Sequence, residues 1–538
     1  MNTNSISTWG HGQLIAFSGI DGPTSYHEGL CLRTIQLDNP GPILKVVLPG
    51  SLILRLGSHP PLECDLASDH FRLATRDGVY RGALLDAWHL LLEGPDFEVE
   101  GEDPRLSIDR EGDRLLLAMT KHQQPSRIND DLSAAIAERR KWVDTVSERL
   151  GVSGHPTATK ALRQMKSQVY SPEGLFTKRW TTPDRWPHRQ CWLWDSAFHA
   201  IGLRHCDTTL AKEAIDAVFS SQAEDGMIPI RCNPDGRHSS GFTQPPTLAL
   251  AIREVDRLAH DASWVQGLLP KVEAYLQWDE DNRNSPNGLP CWAIESNPNC
   301  RSGESGLDNA SRFDAATRME AVDFASFLSL EWEILGQLYQ QINDSDGAAR
   351  CQQRRDAINA KIRERLWDPD SSFFRDWDLE NDRFCPVMAV TGFLPLICGA
   401  ATEEQVRHLL AHLENPETFG TPLALPSVAR NDPTYEKDMW RGPVWVNMVY
   451  LIALGFERYG LTDTAVKLRR DMVREIEKQQ QSLGTFFEYF DAEKEIPPNQ
   501  LHRKGCLAPE RSPYHQCFHD YGWTATLYLE MMLGLKKE

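Results

Sequence analysis

A long series of amphipathic helical segments is the feature that most constrains how this chain folds. From about residue 157 of the 538-residue sequence, the hydrophobic period changes from 2 to 3.6. The predicted helices are 158–170, 194–204, 208–222, 246–259, 263–279, 318–342, 346–366, 386–398, 402–414, 443–458, 462–481 and 518–535. No strand pattern alternates with them, which argues against a βα barrel or a Rossmann fold.

Six helical hairpins closed in a ring need about twelve helices, the number predicted here. The connecting loops are rich in Gly, Pro, Trp and Asp, and their length favours such a toroid. A helical solenoid would use a similar number of helices, but no fixed-period sequence repeat is present. We therefore predict a mainly α fold with an (α/α)6 barrel, a six-hairpin toroid, over residues 157–538.

Residues 1–128 have a different pattern. Short β-prone runs begin at Ile43, Ser51, Phe71 and Arg114, and each is bounded by Gly, Pro, Asp or Asn. This pattern predicts a small antiparallel β-sandwich domain, with a helix-like interruption at 83–92.

A charged amphipathic helix follows at 130–150, and we interpret 129–156 as a helical linker between the two domains. Within the N-terminal domain, Asp21 and Glu28 lie in one polar loop. This loop either reaches a neighbouring active site or forms an ordinary turn.

The charge balance and the cysteines limit the partners and the compartment. With 57 basic and 76 acidic residues the formal charge is −19, so nucleic acid and anionic membranes are poor partners. The 12 cysteines show no CxxC pair, which favours reduced thiols. No signal-peptide pattern and no apolar run of about 18 residues is visible. We predict a cytoplasmic protein whose oligomeric state stays open.

The segment 291–314 concentrates charge between two predicted helices. Its charged side chains of interest are Glu295, Glu304, Asp308, Arg312 and Asp314. Carboxylates this dense repel one another unless they are paired, hydrogen-bonded or solvated. The segment is either a solvated connector or a loop that carries catalytic groups on a helical scaffold.

Other loops combine aromatic and polar side chains. Trp192, Trp194 and Asp195 come just before a predicted helix, where Asp195 or Ser196 is well placed as N-cap. Aromatic faces stack on the apolar face of a pyranose, and a carboxylate accepts hydrogen bonds from neighbouring hydroxyls, so a sugar subsite is the functional interpretation. Gln244 precedes two prolines that would hold its amide rigidly.

Two later loops repeat this chemistry. Trp440, Arg441 and Trp445 again stand at a helix start, and Glu488 lies among four aromatic residues. Burial of a carboxyl among apolar groups raises its pKa, which suits a group that must take or hold a proton. Cleavage of a glycosidic bond needs two carboxyl groups, and distant loops converge only if the helices close a ring.

Rival functions use other residues. His515 and His519 are spaced for zinc, but a third ligand at a diagnostic spacing is missing, so we predict no metal and no cofactor. A toroid-fold polysaccharide lyase would use one of these histidines or Tyr489 as base, yet an anionic polymer requires more cations than the motif loops offer. Those cations are Arg189, Arg312 and Arg441. A non-catalytic carbohydrate-binding protein on the same fold is a third alternative.

Six segments taken together resemble glycoside hydrolase family 63 and its mannosylglycerate-hydrolase-like members, over roughly 157–538. They are Trp192-Leu-Trp-Asp-Ser-Ala-Phe, Gly226-Met-Ile-Pro, Gln244-Pro-Pro, Glu304-Ser-Gly-Leu-Asp-Asn-Ala-Ser-Arg-Phe-Asp, Arg441-Gly-Pro-Val-Trp and Phe487-Glu-Tyr-Phe-Asp. The ordered set is specific, whereas each segment alone is weak. The N-terminal β domain departs from the short mannosylglycerate-type enzymes, so the substrate is not carried over.

The resemblance implies an (α/α)6 barrel that hydrolyses α-glycosides with inversion, with Asp308 as general acid and Glu488 as general base. We expect an exo-acting enzyme on an α-glucoside or α-mannoside, either a small oligosaccharide or a glycoside such as a glycerate conjugate. The predicted substrate-binding residues are Trp192, Trp194, Asp195, Gln244, Glu304, Asn309, Arg312, Trp440, Arg441 and Trp445. Inversion requires the two carboxyl groups to lie roughly 6.5–9.5 Å apart.

Overall fold

The chain consists of two compact units, and the computed structural model describes its residues 9–35, 41–237, 241–505 and 515–536. Unit 1 is Met1–Cys191, Ile476–Phe486 and His519–Ala525, and unit 2 is Trp192–Glu475, Phe487–Phe518 and Thr526–Glu538. Residues 1–8, on which the expected absence of a signal peptide chiefly rests, lie outside the described residues.

Two antiparallel β-sheets form the first part of unit 1, as predicted. Their strands are β1 His11–Ala16, β2 Cys31–Ile35, β3 Ile43–Leu48, β4 Leu52–Arg55, β5 Glu63–Leu66, β6 His70–Ala74, β7 Val79–Leu84, β8 His89–Glu93, β9 Glu98–Glu100, β10 Leu106–Glu111 and β11 Arg114–Met119. The strand orders are β1-β2-β3-β4-β9 and β10-β11-β8-β7-β6-β5. Side chains of both sheets share one hydrophobic cluster, including Leu44 and Leu54 from the first sheet and Leu90 and Leu117 from the second.

The helix-like segment predicted at 83–92 is wrong, because this segment contains the end of β7 and most of β8. Leu90 and Leu92 face the core shared by the two sheets, whereas Leu91 faces a second cluster that includes Leu132 of the following helix. Since both faces of the strand are buried, its apolar run shows no alternation, and the sequence pattern alone does not separate it from a helix.

The described residues also form twelve α-helices. They are α1 Leu132–Arg149, α2 Pro156–Ser167, α3 Leu193–Leu203, α4 Thr208–Phe219, α5 Leu248–Ala259, α6 Ala262–Arg283, α7 Val322–Gln341, α8 Ser345–Arg365, α9 Glu403–Glu414, α10 Val446–Arg458, α11 Thr462–Leu483 and α12 Gly522–Leu535. The helix predicted at 386–398 is instead a 3-10 helix, Val390–Leu396, with Pro395 inside it. The other predicted helices are confirmed, with ends displaced by up to about four residues.

Short elements connect these helices. Two-residue strands are Val169–Tyr170, Trp180–Thr181, Cys191–Trp192, Arg231–Cys232, Met319–Glu320, Trp367–Asp368, Phe373–Phe374, Trp377–Asp378 and Arg383–Phe384, and further 3-10 turns are Thr120–His122, Ser311–Phe313 and Pro498–Gln500. Several helices begin at side-chain caps, and α9 has a complete capping box between Thr402 and Gln405. These caps satisfy amide groups that the first helical turn leaves unpaired.

The helices of unit 2 pack against one another and against the 3-10 helix. Helix α3 packs on α4 and α5, α5 packs on α7, and α7 and α10 both pack on the 3-10 helix. Every residue of α3 is buried, as expected for a helix surrounded by others. At its end, Gly202 lies against the backbone of Thr526 so closely that a Cβ atom would clash at 2.5 Å. No helix in the described part of the chain is long and apolar enough to cross a membrane.

Candidate active site

The loop that carries Asp308 is held by its own backbone and by Trp194. The carbonyl of Asp308 accepts hydrogen bonds from the amides of Arg301 at 2.7 Å and Ser302 at 3.2 Å. Gly306 has a φ of +71°, and a Cβ there would lie 2.3 Å from Cζ2 of Trp194. Only glycine fits this close approach without strain. The buried indole of Trp194 therefore fixes the backbone two residues before Asp308.

The carboxylate of Asp308 contacts the ammonium of Lys504, and its side chain is 20% exposed. The Cys300 thiol lies close enough to interact with both charges. Burial raises the pKa of Cys300 to about 12, and the negative charge of Asp308 acts in the same direction. Cys300 is thus a neutral thiol beside a partly accessible ion pair.

Glu488 is buried, and its Oε2 atom accepts a hydrogen bond of 3.1 Å from Nε of Arg503. The guanidinium of Arg503 stacks over the ring of Phe518 at 4.1 Å. Burial disfavours the charged form of Arg503, but the carboxylate of Glu488 outweighs it and raises the pKa of the guanidinium. Glu488 therefore has a cationic partner in addition to the aromatic neighbours that the sequence predicted.

The two carboxylates are linked through one chain segment, because Arg503 and Lys504 are consecutive. Asp438 anchors this segment by accepting hydrogen bonds from the amides of Lys504 at 2.7 Å and Gly505 at 2.8 Å. The same Asp438 carboxylate accepts a bond of 3.1 Å from Nδ2 of Asn309. Asp438 therefore joins the segment that carries both cations to the residue that follows Asp308.

Helix α3 positions the first group of predicted sugar-binding residues. The predicted N-cap role of Asp195 or Ser196 is wrong, because the helix begins at Leu193 and Trp192 is its N-cap, without a side-chain bond. Asp195 lies instead in the first helical turn, where the helix dipole favours a negative charge. Trp192 is partly exposed and lies 4.9 Å from the guanidinium of Arg231.

Gln244 is buried and connects two elements of the site. Its Oε1 atom accepts a hydrogen bond of 3.3 Å from the amide of Trp194. Its backbone carbonyl accepts a bond of 2.8 Å from the hydroxyl of Tyr275. The side chain is thus held rigidly, as the two following prolines suggested, and it supports the start of α3.

The carboxylate of Glu304 is enclosed by hydrogen-bond donors of the protein. Its carboxylate is fully buried and accepts hydrogen bonds from the amides of Thr243 at 3.0 Å and Ala293 at 2.8 Å. The guanidinium of Arg283 donates further bonds, the shortest being 2.7 Å. These contacts occupy both carboxylate oxygens, so the described geometry assigns Glu304 to holding the loop in place.

Asn309, Trp440 and Arg441 form a second structural cluster. The Oδ1 atom of Asn309 accepts a hydrogen bond of 3.0 Å from the amide of Trp440. Its carbonyl accepts another of 3.0 Å from Nε of Arg441, which also pairs with Asp314 at 2.6 Å. These contacts fix the backbone directly after Asp308.

Arg312 is fully buried and bridges two aspartates. It donates to Asp323 at 3.0 Å through Nη1, with a second contact through Nη2, and to both oxygens of Asp376 at 3.1 Å. Burial would lower the pKa of Arg312, but the two negative charges dominate and raise it. The guanidinium is committed to this triad and is not accessible to a substrate.

Aromatic stacking connects two predicted residues to the Glu488 segment. The indoles of Trp440 and Trp445 stack at 3.8 Å, and Trp445 lies 4.9 Å from the ring of Tyr489. Tyr489 is buried, and its hydroxyl donates a hydrogen bond of 2.6 Å to the carbonyl of His502. Burial raises its pKa well above the ordinary value, so Tyr489 is a poor base for the lyase alternative.

The remaining candidates have local roles. Asp21 pairs with Lys166 at 2.6 Å, and Glu28 pairs with Lys121. His519 contacts the carboxylate of Asp520 through Nδ1 at 2.9 Å. Among the residues that the structure describes, no group of three or more His, Cys, Asp or Glu side chains could hold a metal ion.

The sequence does not single out Arg503, Lys504 or Asp438, which contact Glu488, Asp308 and Asn309, respectively. A signal was available, because Arg503 and Lys504 are adjacent cations only 15 residues after Glu488 in a chain of net negative charge. Asp438 lies two residues before Trp440, in the loop whose aromatic residues are predicted to bind sugar.

The site has two acidic groups of the kind that hydrolysis of O-glycosidic bonds requires, and both lie on a mainly helical unit. Comparison with known proteins gives the class directly. The sequence profile described as "Mannosylglycerate hydrolase MGH1-like glycoside hydrolase domain" matches residues 188–524. The chain therefore belongs to this family of glycoside hydrolases, and the resemblance inferred from the sequence motifs is confirmed.

Curated relatives carry related names. A mannosylglycerate hydrolase of Thermus thermophilus is 28% identical over 381 residues, covering 56% of this chain and 88% of that protein. A glucosylglycerate hydrolase of Mycolicibacterium hassiacum is 24% identical over 406 residues, covering 59% and 89% of the two chains.

A solved structure is similar in fold. It is a family 63 mannosylglycerate hydrolase, also from Thermus thermophilus, in complex with Tris and D-glycerate, with a TM-score of 0.57 and 23% identity. It covers 70% of this chain, while the whole of that chain is matched. The family profile begins at residue 188, after the two β-sheets.

Proposed function

We propose that this protein hydrolyses the α-glycosidic bond between mannose or glucose and glycerate, acting at the sugar end and inverting the anomeric centre. Asp308 donates a proton to the glycosidic oxygen. Glu488 draws a proton from the water that attacks the anomeric carbon from the opposite face. The products are the β-anomer of the sugar and free glycerate.

One observation carries this assignment. Asp308 and Glu488 are 180 residues apart in sequence, yet they pair with the consecutive cations Lys504 and Arg503. Consecutive Cα atoms are about 3.8 Å apart, so pairing with one short segment supports a common site for the two carboxylates. Asp308 is partly exposed whereas Glu488 is buried, and this difference in exposure suits different roles for the two carboxylates.

The names of the curated relatives support the substrate. They act on mannosylglycerate or glucosylglycerate, and their whole lengths are largely matched by this chain. We propose Trp192, Asp195 and Gln244 as the sugar subsite. Trp194, Glu304, Asn309, Arg312, Trp440, Arg441 and Trp445 would act indirectly, by fixing the loops that carry the contacting groups.

Helix packing supports an (α/α)6 barrel as the proposed architecture. The packing runs from α3 through α5, α7 and the 3-10 helix to α10, while Arg204 and His205 at the end of α3 bond to Glu530 of α12. We retain 157–538 as the proposed barrel domain, 1–128 as the β-sandwich domain and 129–156 as the linker. Free cysteines throughout the described residues support the proposed cytoplasmic location.

Hydrolysis of a matched panel tests the proposal. The panel contains α-mannosylglycerate, α-glucosylglycerate and the corresponding α-linked disaccharides, and proton NMR follows the anomeric signals of the fresh product. We expect β-anomer from a glycosylglycerate. Release of α-anomer would overturn inversion, and turnover confined to disaccharides would overturn the substrate while leaving a glycosidase.

A further inference from the structure

Unit 2 contains a cleft that is built from other residues than those of the candidate active site. Its volume is about 150 Å³, and its walls come from α6, α7, α8 and the segment 284–290, which follows α6. Helix α7 packs on both α6 and α8, so the three helices are neighbours. The proposed catalytic and sugar-binding residues take no part in lining this cleft.

The floor of the cleft is apolar. Leu328 of α7 and Ile358 of α8 are buried, and so is Pro290. Ala357 lines the cleft but is exposed, so the cleft opens to solvent on this side. A cavity of about 150 Å³ is large enough for benzene, that is, for about six non-hydrogen atoms. The cleft therefore offers apolar contact to a ligand of about this size.

The acid of the cleft is already bonded by the protein. Glu280 pairs with the guanidinium of Arg354, and its Oε1 atom accepts a hydrogen bond of 2.7 Å from Nε1 of Trp332. Arg354 also donates a bond of 2.6 Å to Oε1 of Gln277 and stacks over the ring of Trp332 at 4.8 Å. A guanidinium has five donor hydrogens, so Arg354 keeps donors for a further acceptor. Glu280 and Arg354 thus compensate each other in charge.

Lys361 adds a positive charge to this neutral pair. Its side chain is half-buried, and its Nζ atom donates a hydrogen bond of 3.1 Å to the carbonyl of Gly288. Gly288 has a φ of +78°, and a Cβ atom there would clash with Nζ of Lys361, so glycine admits the ammonium at this place. Within the described ranges of the chain, no carboxylate forms an ion pair with Lys361. The ammonium has three donor hydrogens, which leaves donors for a ligand.

We propose that this cleft binds a small organic monocarboxylate with a short aliphatic chain. The carboxylate lies against the ammonium of Lys361, with Arg354 as a second donor, and the chain lies on Leu328 and Ile358. Charge-assisted hydrogen bonds are stronger than neutral ones, and the apolar floor contributes through the area it removes from water. A cationic ligand is disfavoured, because Lys361 repels it and both oxygens of Glu280 are bonded.

Butyrate is the probe, because it combines a single carboxylate with a short propyl chain. It is titrated into the full-length protein, and methyl NMR follows the assigned signals of Leu328 and Ile358. Butyramide is the neutral counterpart of similar size, acetate lacks most of the apolar chain, and butylamine carries the opposite charge. These four compounds separate the contribution of charge from that of apolar contact.

Three variants of the protein complete the test. Lys361→Met removes the ammonium, and Ala357→Phe fills the open side of the cleft without disturbing a buried position. Lys271→Met is the control, because Lys271 is an exposed lysine of α6 that does not line the cleft. Thermal unfolding verifies each fold, and Lys361→Gln replaces the methionine variant if that protein is unfolded.

We expect butyrate to shift both methyl signals saturably, with a Kd on the order of 1 mM, which a ligand of this size supports. Butyramide should bind about 10-fold more weakly or worse, and Lys361→Met should weaken butyrate binding as much, through the lost charged hydrogen bond. Acetate should also bind about 10-fold more weakly, since each buried methylene group contributes about a factor of four. Ala357→Phe should abolish the shifts, and Lys271→Met should leave the Kd unchanged.

Equal affinity for butyrate and butyramide, or an unchanged Kd in Lys361→Met, would overturn the proposal. Tighter binding of butylamine would show a site for cations instead. Saturable shifts that are missing up to about 50 mM butyrate, or that persist in Ala357→Phe, would show that the cleft does not bind this ligand. All of these results leave the proposed hydrolysis untouched, because the glycoside panel measures it separately.

Discussion

Glu304 and Asp308 lie four residues apart in the same loop, but the protein treats them differently. Glu304 is fully buried, and two amides and Arg283 occupy its oxygens. Asp308 is one-fifth exposed, and among the described residues its carboxylate contacts the ammonium of Lys504. A carboxylate whose oxygens are all bonded by the protein has no capacity left for a substrate. The number of fixed protein partners therefore separates Glu304, which holds the loop in place, from Asp308, the proposed catalytic acid.

The largest expected effect comes from replacing Asp308, the proposed catalytic acid, by a neutral side chain. Asp308→Asn should lower kcat by about 10²- to 10⁴-fold, because the amide is too weak an acid to transfer a proton to the glycosidic oxygen. Its unfolding free energy should stay near that of the wild type. Steady-state kinetics and urea unfolding measure both quantities.

Glu304→Gln is the matched variant for this prediction. It should lower stability through the lost contacts with Arg283, and activity should fall only as the loop loosens. If Glu304→Gln lost activity at full stability while Asp308→Asn kept turnover, the two assignments would have to be exchanged.

Arg312 is a cation that is also buried among fixed partners. Its substitution should have the next largest effect, on the free energy of unfolding. Arg312→Met would leave Asp323 and Asp376 buried without their partner, which typically costs about 3–5 kcal/mol of unfolding free energy. Arg237→Met is the control, because its exposed pair with Asp235 should contribute less than about 1 kcal/mol. A stable Arg312→Met protein with weakened substrate binding would instead restore the sugar-binding role predicted from the sequence.

The sequence pattern was informative where local rules decide the structure. Helix positions followed the 3.6-residue period, and motif resemblance led to Asp308 and Glu488 as the proposed catalytic pair. The pattern failed at β8, because a strand buried on both faces loses its alternation. It also failed at 386–398, where the interior Pro395 lies in a 3-10 rather than an α-helix.

Side-chain roles within the loops depend on long-range partners, which a single sequence does not contain. Arg312 and Glu304 had the right chemistry for a sugar site, but Asp376 and Arg283 claim them in the folded protein. The backbone of Lys504 is bonded by Asp438, which lies 66 residues earlier in the sequence. Such contacts follow from how the folded chain packs and not from spacing along the sequence.

Glu331 is another buried acid with fixed protein partners, and the pH dependence of stability tests its environment. It is buried, and its carboxyl group accepts hydrogen bonds from the amides of Ala249 at 2.6 Å and Leu250 at 2.9 Å. Burial is the largest influence and raises its pKa from 4.5 to about 7. The folded state thus holds a proton that the unfolded chain releases near pH 4.5.

The stabilising contribution of this proton is complete below about pH 4.5 and is lost as the pH rises through about 7. The loss should amount to roughly 3 kcal/mol, and Glu331→Gln should remove this part of the pH dependence. Urea unfolding between pH 4.5 and pH 8 measures it, with the exposed Glu404→Gln as control. An unchanged pH dependence in Glu331→Gln would show that Glu331 is not the group responsible.

Substitution of Asp314 should have the smallest effect. This acid is neither enclosed by fixed partners like Glu304 nor proposed to react like Asp308. It is an acid of the same loop, yet its side chain is 40% exposed and pairs with Arg441 at 2.6 Å. Exposed pairs contribute about 0–1 kcal/mol and weaken with salt. Asp314→Asn should therefore change the unfolding free energy by less than about 1 kcal/mol, and kcat/KM by about threefold at most. Arg441→Met should cost more, since it also breaks the bond to the carbonyl of Asn309, next to Asp308. If Asp314→Asn lost as much activity as Asp308→Asn, the exposure of an acid and its protein partners would not be sufficient to identify the catalytic acid of this loop.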